Sequence, residues 1–341
     1  MRCRVVQLLA VAALSAASGT AFSTGQSAAE NAVQPAGPRP GLSAAVGLDN
    51  GGGGVRLDYR LPAATPGDTL DLYGGYNQSD YAWKERAWPE GGKGALLGAR
   101  YSQLLGKSAG HESRLSYGAG VKAFRVDGAQ DGEPGGDVTV HPLTVNYSGN
   151  WLFARGEASG SVTVLRNVSG GPRGGQDDFS RARPGADADY SIVRLAASLT
   201  RQLPRDFQVR AALNGQYTRD VLVPGEQVGV GGGAQVRGFS ARDLANDSGL
   251  AANVELYSPQ LCGDARWHCR ALVFYDKGLV KRNREQGGEL RTKAIGSVGV
   301  GLRFGVSRDV DVQVDYGHVL RSSQVPLQDK NRLHIRVGLS W

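Results

Sequence analysis

FQVRAALNGQYT, residues 207–218, alternates. Phe207, Val209, Ala211, Leu213 and Tyr217 share one face, and Gln208, Arg210, Ala212, Asn214 and Gln216 share the other. A period of two is the mark of a strand, because successive side chains point to opposite faces of the pleat. The pattern recurs in DTLDLYGGY (68–76), SRLSYGAGVKA (113–123), VDVQVDYGHV (310–319) and LHIRVGLSW (333–341). Many of these segments run nine to twelve residues, about the length of a tilted strand crossing a bilayer. Their polar faces carry full charges, such as Arg114, Lys122, Asp311 and Asp315.

Fourteen strands are read this way, over residues 42–49, 54–61, 68–77, 94–104, 112–126, 138–149, 153–167, 189–202, 206–219, 249–258, 270–280, 294–306, 310–320 and 331–341. So many cannot all hide an apolar face in one small core. A closed barrel, with lipid outside and a polar lumen, satisfies both faces and every backbone group. The links at 62–67, 105–111, 150–152, 203–205 and 307–309 are short, and those at 78–93, 127–137, 168–188, 220–248, 281–293 and 321–330 are longer. Periplasmic turns and extracellular loops alternate in this way, and only the links at 50–53 and 259–269 depart from it. The expected fold is therefore all-β: a transmembrane antiparallel β-barrel over residues 41–341. Trp83, Trp88, Tyr257, Trp267 and Trp341 fall near strand ends, where interfacial aromatic girdles sit.

The chain has 341 residues, with 50 glycines, one methionine and 21% charged residues. No apolar run of about 18 residues follows the N-terminus, which excludes a helical membrane protein. The formal charge is +7, but the arginines are dispersed. Nucleic acid is therefore not an expected partner. MRCRVVQLLAVAALSAASGTAFS, residues 1–23, reads as a secretory signal peptide: Arg2 and Arg4 precede an apolar stretch from Val5 to Ala17, and small residues follow. Residues 24–40 are small, polar and proline-containing and read as a flexible tether.

Cys3 leaves with the signal. Cys262 and Cys269 are expected to form a disulfide across a short turn in an oxidising compartment. A metal site is not expected, since only His268 stands near them. GKSAG, residues 106–110, matches G-x-S-x-G but falls in a turn between strands, away from the strand–turn–helix elbow that a hydrolase needs. Asp177-Asp178 and Asp187–Asp189 lie in a polar loop and read as solvated. No histidine cluster or nucleotide loop occurs. An enzyme is not expected, nor any cofactor.

The loop at 220–248 contains GGGAQVRGFSARD, residues 231–243. The next strand but one carries Phe274-Tyr275-Asp276-Lys277-Gly278, in which Phe274, Asp276 and Gly278 alternate onto the lumenal face. An isolated arginine and an isolated carboxylate are each costly to desolvate, and together they form a charge-assisted bond, with a bidentate one open to them. Val236-Arg237-Gly238-Phe239, then ELYSPQ (255–260), the FYDKG segment and GSVGVGLRF (296–304), in this order, resemble the outer-membrane superfamily of barrel-assembly insertases and two-partner secretion translocators. The likeness is strongest to the haemolysin secretion/activation branch.

The resemblance implies a barrel of sixteen strands against fourteen by count. It implies a loop folded into the lumen with Arg237 held by Asp276, Val236, Gly238 and Phe239 in its motif, and Phe274 and Gly278 on the following inward-facing strand. Gly231, Gly232 and Gly233 are expected to turn the loop inward. The family carries periplasmic POTRA domains before the barrel, and no such segment is expected here in residues 24–40. The closing segment with Trp341 resembles the signal by which barrels reach their assembly machinery. The implied function is a protein-conducting pore in the outer membrane of a Gram-negative bacterium, exporting a partner exoprotein without nucleotide. Its surroundings would be outer-membrane lipid and lipopolysaccharide. A barrel-assembly insertase and a passive porin or vestigial barrel are the alternatives.

Overall fold

The structure is a computed structural model and describes residues 40–49, 52–77, 93–125, 137–240, 242–263, 267–284, 290–306, 310–322 and 330–339. In chain order the elements are β1 (Gly41–Asp49), β2 (Gly52–Pro62), β3 (Thr69–Asn77), β4 (Lys93–Ser108), β5 (His111–Arg125), β6 (Val138–Val140), β7 (Pro142–Phe153), β8 (Gly156–Asn167), α1 (Gln176–Ala182), β9 (Ser191–Gln202), β10 (Gln208–Tyr217), β11 (Val228–Val230), β12 (Leu244–Asn246), β13 (Ser248–Tyr257), β14 (Trp267–Lys281), β15 (Thr292–Val306), β16 (Val310–Ser322) and β17 (Asn331–Leu339). Among the described residues, fifteen strands form one antiparallel sheet, and since β6 lies off its main path, fourteen make up the wall from β1 to β17. That is the number read by alternation. β11 and β12 pair separately within the long loop. No helix of the described residues is long and apolar enough to cross a membrane.

The wall is inverted relative to a water-soluble protein. Val254, Leu256, Val273, Tyr275, Val300, Leu302, Leu333, Ile335 and Val337 are exposed, while their strand neighbours Glu255, Asp276 and Asp315 are buried. In β10, Tyr217 is exposed and Arg210 and Gln216 are buried. Hydrocarbon outside and polar groups inside is the arrangement that a lipid solvent selects.

Several boundaries differ from the sequence reading. The turn expected at 150–152 lies at Ala154–Arg155, so β7 runs on to Phe153 and β8 starts only at Gly156. The strand expected from 138 breaks at His141, leaving β6 as a short addition to β5. Asp178 is not simply solvated: it sits in the first turn of α1, accepts the Gly175 N–H at 3.1 Å and pairs with Arg181. Tyr257 does not join an outer girdle. It points inward and donates to Glu255 Oε2 at 2.8 Å, because a buried phenol needs a polar partner. The signal peptide, the tether, Trp83, Trp88 and Trp341 lie outside the described residues.

Two packed regions connect wall and loops. At the long-loop end, Phe124, Val138, Leu165, Phe179, Tyr190 and Ile192 enclose Leu222 and Val223 at the start of the loop between β10 and β13. Inside the wall, Val230, Val236, Phe239 and Leu244 of that loop pack on Ala251, Val280, Ile295 and Val319. The loop is thus part of the interior, with Val236 0% and Phe239 1% exposed.

Candidate functional site

The loop between β10 and β13 enters the wall through glycines. Gly231 and Gly232 have φ of 127° and 93°, a region that favours glycine, whereas Gly233 does not need it. Gly238 also has a positive φ, 92°. A Cβ on Gly317 of β16 would stand 2.8 Å from the Gly238 nitrogen, so two glycines allow loop and wall to touch backbone to backbone. The Gly238 N–H donates to His334 Nε2 of β17 at 3.0 Å.

Arg237 points from this tip into the wall. Its Nε and Nη2 donate to the two carboxylate oxygens of Asp276 at 2.8 and 2.7 Å, and its main-chain N–H donates to Asp276 Oδ2 at 3.0 Å. Nη1 donates to Glu255 at 2.6 Å and to Asp315 at 3.4 Å. The guanidinium carbon lies 3.4 Å from the centre of the Phe274 ring, a cation–π stack. Asp276 is fully buried and also accepts from Asn253 Nδ2 at 2.9 Å. Arg303 donates to Asp315 at 2.9 Å. Burial disfavours the Arg237 charge, but Asp276, Glu255 and Asp315 more than offset it, so Arg237 holds its proton more firmly than a free arginine.

Each motif position therefore has a physical task. Phe274 is the floor under the guanidinium, and Asp276 is its bidentate acceptor. At Gly278 a Cβ would stand 2.2 Å from Val230 Cγ1 and 3.1 Å from Val236 Cγ2, so only hydrogen leaves the loop room. Val236 and Phe239 bury the apolar side of the tip.

The loop is tied again towards its long-loop end. Glu226, fully buried, accepts from Lys122 of β5 and Arg194 of β9, each at 3.1 Å. Asp247, where the loop returns to the wall, pairs with Arg183 just after α1 and accepts the Leu222 and Asn283 N–H groups at 3.0 and 2.9 Å. Cys262, in the turn before β14, is joined to Cys269 at the start of that strand, their Cα atoms 5.4 Å apart. No metal-binding cluster occurs among the described residues.

Glu255, Asn253, Arg303 and His334 belong to the network without standing out in the sequence, and Asp315 stands out there only as a charge on a polar face. Strand parity is the signal that could have found them, because all five fall on lumenal positions.

A long loop pinned in the lumen by a buried arginine and three carboxylates, inside a wall with an apolar exterior, defines an outer-membrane β-barrel of the translocator and insertase type. The family model described as haemolysin secretion/activation protein ShlB/FhaC/HecB matches residues 94–304, and the chain belongs to that family. Its place is the outer membrane of a Gram-negative bacterium. No curated protein matches in sequence. Among solved structures the fold is similar to CdiB from Escherichia coli (TM-score 0.65, 18% identity, 84% of this chain and 53% of that one). It is also similar to CdiB from Acinetobacter baumannii (0.58, 16%, 85% and 50%). BamA from Haemophilus ducreyi lacking POTRA domains 1–3 gives 0.60 and 16%, over 87% of this chain and 64% of that one. The chain thus spans about half the length of the two CdiB chains.

Proposed function

We propose that this chain is the pore of a two-partner secretion system, passing an extended exoprotein across the outer membrane with no nucleotide and no enzymatic step. The observation that carries this reading is the loop lock: Arg237 on a lumenal loop, held by Asp276, Glu255 and Asp315 and stacked on Phe274. A passive pore has no need of a plug fastened by so many desolvated charges, whereas a conduit for an unfolded chain must stay shut between passages. Membership of the haemolysin secretion/activation family supports the same reading. The partners are then a secreted exoprotein, the lipid and lipopolysaccharide against the exposed apolar band, and the barrel-assembly machinery that inserts the chain.

The test is co-expression with an exoprotein encoded beside its gene, scoring exoprotein in the medium, followed by reconstitution in vesicles without ATP. Export in both settings is expected. Wild-type barrels that export nothing and show a steady large conductance would sink the translocator reading and favour a porin.

A further inference from the structure

Lys277 faces away from the lock. Phe274, Asp276 and Gly278 point inward, so Tyr275 and Lys277 alternate onto the lipid side of β14, between Val273 and Leu279. The paired row below Lys277 is Val254, Tyr275 and Val298, and the row above it is Leu250, Leu279 and Ala294. A cation thus stands inside an apolar column. Such a residue is costly against hydrocarbon and calls for an anionic partner.

A second cation shares its row. Lys277 pairs with Gly296 of β15, and Gly296 pairs with Arg321 of β16. This alignment depends on a bulge: Ser297 pairs with Val319 and Gly296 with Arg321, which leaves Leu320 as the extra residue. In an unbroken register Leu320 would occupy the lipid side of this row and Arg321 would turn inward. Gly296 puts no side chain between the two cations, and Ala252, on the other side of Lys277, is small. With one strand between them the two Cα atoms are about 10 Å apart, so both long side chains can reach one anion. Both residues are exposed, and among the described residues neither has an ion pair or hydrogen bond.

The depth of the row identifies the anion. Trp267 and Phe304 pack with ring centres 4.9 Å apart near the short-turn ends of β14 and β15. From Phe304 up to Gly296, β15 climbs about 20 Å along the membrane normal, at about 3.3 Å per residue and about 40° of tilt. The apolar band of such a barrel is about 25 Å tall, so the row lies just inside its outer edge. That edge is on the side of the long links after β14 and β16, the extracellular side. The anions there are phosphates of the outer leaflet, and lysine and arginine stems lie on apolar surface while their heads meet them.

We propose that Lys277 and Arg321 form a binding site for a phosphate of lipopolysaccharide in the outer leaflet, with its acyl chains on Val273, Tyr275, Val298 and Val300. The site rests on the reading that lipopolysaccharide surrounds the barrel, and on no step of translocation.

The test is native mass spectrometry of the purified barrel in detergent with diphosphoryl lipid A, compared with lipid A stripped of phosphate, phosphatidylglycerol and inorganic phosphate. One retained lipid A is expected, held about tenfold more weakly in Lys277→Gln and in Arg321→Gln and near the wild-type level in Lys277→Arg. The two Gln variants lie on different strands and touch nothing in the lock, so one stays readable if the other folds poorly. Wild-type affinity in both Gln variants, or equal retention of the stripped lipid, overturns the site. Phosphatidylglycerol held as tightly as lipid A, or displacement of lipid A by inorganic phosphate at equal concentration, overturns the assignment to lipopolysaccharide. A wild-type barrel that holds lipid A yet exports no exoprotein supports the site and removes the translocation reading.

Discussion

Arg237 and Asp276 should behave as one unit, but unequally. Replacing Arg237 by Ala removes the guanidinium from three carboxylates. Asp276 then keeps only the main-chain N–H of residue 237 and Asn253, at 3.0 and 2.9 Å. Breaking a buried pair from one side costs about 3–5 kcal/mol. Replacing Asp276 by Ala strands less charge, since Arg237 keeps Glu255 at 2.6 Å, Asp315 at 3.4 Å and the Phe274 ring. Its cost is that of a lost charged hydrogen-bond pair, about 2–3 kcal/mol.

The readout is the maleimide labelling rate of V230C, placed at a lumenal loop position that is 1% exposed. With Cys3 also replaced by Ser, no other thiol is free while Cys262 and Cys269 remain joined. Each ~1.4 kcal/mol is a factor of ten in the released population. R237A should therefore raise the rate by roughly two to three and a half decades, and D276A by somewhat under two. The double variant should cost less than the sum of the singles, since neither charge is left behind. Strictly additive effects, or singles that change the rate less than about twofold, would refute the lock.

Gly278→Val should push Val230 and Val236 off the wall, given a Cβ 2.2 Å from Val230 Cγ1, at a cost of about 1–3 kcal/mol. More frequent open events in planar-bilayer recordings would register it. Asp206, in the turn before β10, is held below the ordinary carboxylate range by the Gln260 N–H and by Arg270. Its folded pKa is depressed, so this tie between two short turns is present above the unfolded value of 3.8 and is lost as pH falls through the lower folded value. Hydrogen exchange at the Gln260 amide should rise over that acid window and lose the dependence in Asp206→Asn. Reducing the Cys262–Cys269 bridge opens a small loop, with seven residues of separation, worth about 2–3 kcal/mol of local stability. The exchange protection of that turn should drop while the Arg237 network, further along β14 and on its neighbours, stays unchanged.

The alternating strands were legible because lipid and lumen impose a pattern of period two on each strand separately. That local rule placed fourteen strands, and it put Phe274, Asp276 and Gly278 on one face before any contact was known. The rule is silent where a tertiary partner decides the outcome: α1 forms because Phe179 and Ala182 find a core made by Phe124, Leu165 and Leu222. Tyr257 obeys the rule, two residues on from Glu255, and only its place near a strand end suggested a girdle. The sequence on its own determined the wall and the lumenal sides of its strands, and its resemblance to a known family implied the pairing of Arg237 with Asp276. Only the tertiary structure decided that Glu255, Asp315, Phe274 and His334 surround the same tip. They come from four strands far apart in the chain, and no spacing in a sequence records which residues the curvature of a sheet brings face to face.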